Sequence, residues 1–143
     1  MKKTLSILVI TFTTSAFANE LGNRALSFVP GGTIQTQKSD EVKIKTKQGT
    51  LVEIDFTRTG ELEDASGDMA EKDEFNPGKE MKSLSEVVSE VKKQGYLLKG
   101  DWSYDKDLLN SWHYELEAMH EGKEVEIKVD AKTAKILNVE IDD

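Results

Sequence analysis

Residue types that commonly carry out catalysis are few in this sequence, and their spacing matches no recognised motif. The only histidines, His113 and His120, lie on one predicted strand, and their odd separation sends them to opposite faces. They therefore cannot bind one metal ion together within that strand. The chain has no cysteine, and it contains no metalloprotease, serine-hydrolase or phosphate-loop motif. We predict no catalytic residue, no cofactor and no metal ligand, and hence a protein that is not an enzyme.

Two glutamates are the first candidates for a binding site. A two-residue turn predicted at residues 121–122 sets Glu117 directly opposite Glu126 on the polar side of a hairpin. Like charges are usually avoided in this position, so the pair could receive a cation or a basic side chain of a partner. Alternatively, Lys128 or Lys123 neutralises the pair, or both carboxylates point into open water, where charges contribute little.

A second candidate contact is the segment DKDLLN, residues 105–110, which joins two predicted strands. It carries Leu108 and Leu109 side by side among charged residues. An exposed leucine pair with a charged rim is typical of a contact with a protein partner. Alternatively, one of the two leucines folds back under the sheet.

One amphipathic helix must help to position these residues. The segment SLSEVVSEVKKQGY begins with a capping box formed by Ser83 and Glu86, and Gly95 ends the helix. Its apolar stripe, which must pack on a sheet, consists of Leu84, Val87, Val88 and Val91.

The strands after this helix alternate polar and apolar residues. Two W-x-Y segments, 102–104 and 112–114, are predicted to face each other across a loop at residues 105–111, either as core or as a ligand groove. A last strand carries Leu137, Val139 and Ile141. The hairpin that follows the second W-x-Y segment pairs Ala118 with Val125, Leu116 with Ile127 and Tyr114 with Val129.

A weaker copy of that hairpin lies 73 residues upstream, where Gly49 corresponds to Gly122 and Val52 to Val125. The same shift places the equivalent of the helix at residues 10–21, where we predict a signal peptide, so the first unit is expected to lack its helix. The chain would then hold about one and a half repeats that share one helix. In the upstream hairpin the predicted pairs are Ile44 with Val52, Val42 with Ile54 and Lys43 with Glu53.

Residues 1–18 have the order of a secretory signal peptide: two lysines, an apolar run from Leu5 to Phe12, and an A-x-A end that predicts cleavage after Ala18. The apolar run is shorter than the roughly 20 residues of a membrane-spanning helix, so we expect no stable membrane anchor. The predicted location is the periplasm, or alternatively the extracellular space.

The mature chain is strongly acidic. Cleavage lowers the number of Lys and Arg from 19 to 17 against 27 Asp and Glu, which changes the net charge from −8 to −10. Such a charge repels phosphate backbones and anionic lipid, and it excludes nucleic acid as an expected partner. A basic protein surface or a metal cation fits it better.

The predicted organisation has five parts. A flexible leader at residues 19–39 follows the signal peptide, and the linker at 64–82 is rich in acidic residues whose spacing does not match a calcium loop. The parts are the signal peptide 1–18, the flexible leader 19–39, a degenerate first-repeat hairpin 40–63, the acidic linker 64–82 and the complete unit 83–143.

The segment EVEIKVDAKTAKILNVE, residues 124–140, resembles the PepSY family of exported bacterial modules. Asp130, Thr133 and Lys135 match the turn of that family, and Ala134 stands where the family usually has Gly. The resemblance extends from about Ser83 to Asp142. It implies an α+β fold, with an antiparallel β-sheet and one amphipathic helix packed across it, and it brings no catalytic residue.

PepSY modules occur in the propeptides of secreted metallopeptidases, which they are thought to inhibit, and as free-standing exported proteins. The resemblance therefore implies an exported, non-catalytic binding or regulatory module, with inhibition of a secreted or periplasmic peptidase as its role. The expected partner is a protein, either a peptidase or another envelope protein. The alternative is a periplasmic cation-binding or sensing protein that uses its acidic surface.

Overall fold

The computed structural model describes residues 16–69 and 75–142. One helix followed by four strands occurs twice along these residues, and the strands form a single antiparallel sheet in sequence order. The elements are α1 (Ala16–Phe28), β1 (Thr33–Gln37), β2 (Glu41–Lys45), β3 (Leu51–Phe56), β4 (Leu62–Asp68), α2 (Leu84–Lys93), β5 (Leu97–Lys106), β6 (Trp112–His120), β7 (Lys123–Asp130) and β8 (Ile136–Ile141).

Helix α2 has the predicted cap and the predicted buried face. The Ser83 hydroxyl accepts a hydrogen bond from the Glu86 backbone N–H, and the Glu86 carboxylate accepts one from the Ser83 N–H at 2.9 Å. These bonds lower the pKa of Glu86 from its ordinary value. Gly95 ends the helix region with a left-handed φ of 95°. The buried residues are Leu84, Val87, Val88 and Val91, as predicted.

Both predicted hairpin registers are confirmed, because turn geometry and the apolar alternation specify the same pairs. Strands β6 and β7 pair Glu117 with Glu126, and they place the three apolar pairs of this hairpin on one face. The turn after β7 also keeps its left-handed position, since Ala134 has a φ of 65°. In the upstream hairpin, β2 and β3 pair Ile44 with Val52, Val42 with Ile54 and Lys43 with Glu53.

The prediction of a flexible leader at 19–39 is wrong, and so is the prediction of a single helix. Helix α1 and strand β1 occupy this segment, and Leu21, Ala25 and Val29 are buried in the core. These residues lie at a spacing of four, as on one face of a helix, and α1 packs against β1 and β2. The first unit therefore has its own helix, and the estimate of one and a half repeats is also wrong.

The signal-peptide prediction falls mainly on residues 1–15, which lie outside the described residues. Helix α1 begins at Ala16, so the predicted cleavage site after Ala18 lies inside its first turn. Cleavage there leaves the helix from Asn19 to Phe28, and it retains the buried residues Leu21 and Ala25.

The prediction of a linker at 64–82 is wrong for residues 64–68, which belong to strand β4, whereas residues 70–74 of that segment lie outside the described residues. Strand β4 pairs with β3 and β5, and it joins the hairpin at 40–63 to the second unit as one continuous sheet. Small residues conceal its alternation, because Ala65 and Gly67 face the core. A Cβ on Gly67 would lie 2.7 Å from the Leu51 carbonyl oxygen and 3.1 Å from the Trp102 indole nitrogen. Phe75 is fully buried against the rings of Trp102 and Tyr104.

The two W-x-Y segments do not face each other in the predicted register, in which a loop at residues 105–111 would set Tyr104 opposite Trp112. Their hairpin loop is shorter than residues 105–111, since the Asp107 N–H donates to the Ser111 carbonyl, and Tyr104 consequently pairs with Tyr114. Trp112 lies diagonally against Tyr104, with nearly parallel rings and centroids 4.7 Å apart. Trp102, Tyr104 and Tyr114 are buried in the core, which is the first of the two predicted uses.

Candidate binding surface on the open sheet face

Both helices contribute to one apolar core on one side of the sheet, and the opposite side is called the open face below. Among the described strand residues that point to the open face, all are half-buried or exposed except His113. Carboxylates outnumber lysines on this face, so it concentrates the negative charge of the chain. Its acidic residues are Glu41, Glu53, Asp55, Asp64, Asp68, Asp101, Asp105, Glu115, Glu117, Glu124, Glu126, Asp130 and Glu140.

The predicted pair Glu117 and Glu126 lies on the open face. Burial raises the pKa of Glu126, and the neighbouring carboxylates of Glu115 and Glu140 raise it further, more than Glu117 does. Among the described residues, neither Lys128 nor Lys123 forms an ion pair with the two glutamates. The local repulsion therefore has no direct neutralising contact among the described residues, and it involves five carboxylates instead of two, because Asp142 contributes as well.

Leu108 and Leu109 lie at the tip of the β5–β6 hairpin. Their exposed fractions are 101% and 84%, so neither leucine folds under the sheet. The Asp107 carboxylate accepts hydrogen bonds from the backbone N–H groups of Leu109 and Ser111, and these bonds lower its pKa. The hairpin thus holds the two leucines in solvent on an ordered turn.

A cluster that the sequence did not predict surrounds His113. The His113 Nε2 lies 2.8 Å from Oδ1 of Asp105 and 3.3 Å from Oε2 of Glu115. Burial raises the pKa of Asp105, although the nearby imidazole acts in the opposite direction. One ligand atom from each of the three residues lies within 4.8 Å of the others, which is a spacing that a divalent cation could use. Asp105 pairs directly with His113, so the hairpin register was the signal that could have revealed this cluster.

A second cluster joins Glu41, Glu53 and Asp55 on neighbouring strands. Burial, a hydrogen bond to the Asp64 side chain and three nearby carboxylates raise the pKa of Asp55 to about 8. A hydrogen bond between two carboxyl groups requires a proton, which Asp55 can carry near neutral pH because its pKa is raised. Asp64, which was predicted to lie in the acidic linker, is instead a strand residue that pairs with Asp55.

A shallow groove of about 310 Å³ lies beside Glu53 of the second cluster, and Lys43, Asp68 and Asp101 contribute to its lining. A hydrogen bond from the Asp68 side chain is the main cause that raises the pKa of Asp101. The open face therefore carries a row of carboxyl groups close enough to share protons. Chemically, such a row can bind basic side chains or cations, and its charge depends on pH.

The fold and this surface define a small sheet-and-helix module with one covered and one acidic open face. A family model described as Peptidase propeptide and YPEB domain matches residues 64–140. This match covers more than half of the chain, and the protein belongs to that family, the PepSY family. No curated protein matches the chain.

Several solved structures are similar to this chain. A candidate lipoprotein from Clostridium difficile 630 is 17% identical, with 84% of this chain and 89% of that chain covered and a TM-score of 0.42. A DUF2874 family protein from Bacteroides uniformis ATCC 8492 is 11% identical, with 90% and 89% covered and a TM-score of 0.43. A candidate periplasmic protein from Bacteroides eggerthii DSM 20697 is 10% identical, with 90% and 88% covered and a TM-score of 0.42.

With TM-scores below 0.5, these similarities define neither a function nor a partner for the chain. Within the described residues, neither helix has the length and apolar character needed to cross a membrane.

Proposed function

We propose that this protein is an exported, non-catalytic module that binds a peptidase or another envelope protein through the open face and the Leu108–Leu109 tip. Inhibition of a secreted or periplasmic peptidase is the proposed effect. Membership of a family that includes peptidase propeptides supports this role. The observation that carries the proposal is the combination of an acidic, uncovered face with a fully exposed leucine pair at the end of the same hairpin.

The two features complement each other physically. Carboxylates on the open face would attract a basic partner from a distance and orient it, which mainly raises the association rate. The two leucines would then supply apolar contact area, because their side chains are already exposed and held by the Asp107 turn. Binding through this face leaves the helix-covered core undisturbed.

The test measures peptidase activity in the periplasmic fraction of the source bacterium with fluorescent casein as substrate. Purified protein should slow the hydrolysis, and the double variant Leu108→Ser, Leu109→Ser should do so at least tenfold more weakly while melting within a few degrees of the wild type. Leu137→Ser is the matched control, since this exposed leucine lies on a distant strand. Equal inhibition by the double variant, or no inhibition by the wild type, would contradict the proposal.

Export itself is part of the proposal. Mass spectrometry of the protein recovered from the periplasm should identify Asn19 as its first residue, in agreement with an A-x-A cleavage site that ends at Ala18. A protein that keeps Met1, or one found only in the cytoplasmic fraction, contradicts this part.

The second candidate function is cation binding or sensing, and the specific observation in its favour is the cluster of Asp105, His113 and Glu115. One imidazole nitrogen and carboxylate oxygens suit Zn²⁺ or another first-row divalent ion better than Ca²⁺. Calorimetric titration of the wild type and of variants with Zn²⁺ and with Ca²⁺ distinguishes the His113 cluster from the Glu117–Glu126 pair as the binding site. Loss of Zn²⁺ binding in His113→Ala supports this cluster, whereas loss in Glu117→Gln, Glu126→Gln supports the pair predicted from sequence. Absence of heat with both ions rejects this function.

A further inference from the structure

A cavity of about 460 Å³ lies on the helix side of the sheet, away from the open face. It is formed by the last turns of α1, the loop that precedes α2, the start of β4 and the β5–β6 hairpin. Its size is within the range of small-molecule sites, which is roughly 300–1,000 Å³. The lining residues are Arg24, Phe28, Glu61, Leu62, Pro77, Gly78, Lys79, Met81, Tyr104, Lys106 and Trp112.

The charge around this cavity is opposite to that of the rest of the protein. Three cationic side chains, Arg24, Lys79 and Lys106, meet a single carboxylate, that of Glu61, in a chain whose net charge is −8. Within residues 16–69 and 75–142, none of the three cations forms an ion pair. Because carboxylates are abundant elsewhere on the surface, three unpaired cations around one cavity indicate affinity for an anion.

The two better-fixed cations lie against aromatic rings. The Arg24 guanidinium donates a hydrogen bond to the Gly60 carbonyl and lies 5.8 Å from the centroid of the Phe56 ring. The Lys106 ammonium lies 5.5 Å from the centroid of the Trp112 ring. These contacts hold positive charge at the edge of an apolar pocket, where water screens it less than on an open surface.

The floor of the cavity is aromatic and includes the Tyr104 hydroxyl. Tyr104 is 1% exposed, its ring stacks on that of Trp112, and its side chain contributes to the cavity lining. Burial raises the pKa of Tyr104 far above its ordinary value, so the hydroxyl keeps its proton and can donate. A protonated hydroxyl in the lining can donate a hydrogen bond to an oxygen of a bound anion.

The loop that forms one wall is tied to α1. The Asn76 backbone N–H donates to the Phe28 carbonyl at 2.7 Å, and the Asn76 side chain accepts a bond from the Gly78 N–H at 2.9 Å. Lys79 and Glu80 then take left-handed φ angles of 51° and 69°, which are uncommon for residues with a side chain. Strained backbone of this kind concentrates at sites that hold a ligand.

We propose that this cavity binds a small organic anion that combines an aromatic ring with a nearby carboxylate. The ring lies in the apolar part beside Trp112 and Leu62, and the carboxylate is held by Lys79, Lys106 and Arg24. The same chemistry occurs in a free aromatic acid and in the C-terminal residue of a peptide that ends in Phe or Tyr. This site is independent of the open face, so the proposed function and this inference can fail separately.

The test titrates the protein with N-acetyl-L-phenylalanine and, in parallel, with its uncharged amide. We follow the indole N–H resonance of Trp112, which is assigned by its loss in Trp112→Phe. The acid should shift this resonance and bind at least tenfold more tightly than the amide. Lys79→Gln, Lys106→Gln should weaken binding of the acid at least tenfold and leave the amide unchanged. Lys92→Gln, Lys123→Gln is the matched control, because both lysines are exposed and lie near His120, at the opposite end of β6 from Trp112.

Two further measurements complete the test. Tyr104→Phe keeps the ring and removes only the hydroxyl, so a severalfold weaker binding of the acid tests the site even where the double lysine variant fails to fold. Comparison of the peptide Gly-Gly-Phe with N-acetyl-L-phenylalanine identifies the source: similar affinities favour a peptide terminus, and exclusion of the peptide favours a free aromatic acid. Equal binding of acid and amide, or no binding at several millimolar acid, would overturn the proposal.

Discussion

His113 and Asp105 lie directly opposite each other on β6 and β5, and the imidazole Nε2 is 2.8 Å from the Asp105 carboxylate. This contact explains how a histidine that is only 5% exposed can lie on a face that is otherwise open. The carboxylates of Asp105 and Glu115 both contact the Nε2 atom of the ring. The Nδ1 atom on the other side of the ring is buried without a hydrogen bond in the described chain.

We expect His113→Ala to destabilise the protein by about 1–3 kcal/mol, since the substitution removes a buried ring and the Nε2 atom that contacts the carboxylates of both Asp105 and Glu115. Urea unfolding at pH 7 measures this change. His120→Ala is the control, because His120 is more exposed and stacks only on Tyr96, and it should cost less than 1 kcal/mol. Equal costs would mean that the Asp105 contact contributes nothing.

Asp55 predicts a pH dependence of stability with a definite sign. Its pKa rises from 3.8 to about 8 on folding, so the folded chain binds this proton more tightly than the unfolded chain. The resulting stabilisation is fully present below pH 3.8 and is lost as the pH rises towards 8. Melting temperatures between pH 5 and pH 9 should therefore fall across this window.

Asp55→Asn should remove most of that slope and melt above the wild type at pH 9, because the amide cannot ionise. Asp64→Asn removes the negative charge beside Asp55, which is one cause of its raised pKa, and it should also flatten the profile. A wild-type slope that persists unchanged in both variants would show that other groups cause it.

Local patterns that agree with each other were predictable from the sequence. The Ser83 capping box, the stripe of α2 and the Glu117–Glu126 pair each follow from turn chemistry and periodicity within a short segment. The contact of Asp105 with His113 was not predictable in this way. It depends on the register of β5 against β6. The pairing of these two strands is irregular between Leu98 and Trp102, and the length of the loop that joins them could not be determined from the sequence.

Helix α1 and strand β4 were missed for a different reason. Each has few large apolar residues, because its core positions are filled by small side chains such as Ala25 and Ala65. Weak periodicity of this kind is also typical of a leader or a linker, so only the packing of the whole sheet distinguishes the alternatives.

Gly67→Ala tests whether β4 is a closely packed core strand. The new Cβ would approach the Leu51 carbonyl oxygen to 2.7 Å, and because this atom belongs to the backbone, it cannot move away easily. We expect a loss of about 1–3 kcal/mol in the free energy of unfolding. Ser66→Ala, one position earlier on the open face, should stay within about 0.5 kcal/mol. A silent Gly67→Ala would contradict the packing of Trp102 on β4.

The last prediction compares the two helices as halves of one core. Val91 of α2 and Leu21 of α1 are both almost completely buried in the same apolar cluster. Val91→Asp and Leu21→Asp should therefore each cost several kcal/mol, since each places a carboxylate in the core.

The matched controls lie on the exposed sides of the same helices. Glu90→Ala removes only a surface ion pair with Lys93, and such pairs contribute about 0–1 kcal/mol. Asn23→Asp introduces the same charge as Leu21→Asp at an exposed position of α1. Urea unfolding of the chain that begins at Asn19 measures all four variants. A large loss in the free energy of unfolding for Val91→Asp, together with no change for Leu21→Asp, would contradict this prediction. It would mean that residues 19–28 form a flexible leader in the mature protein and do not pack on the sheet.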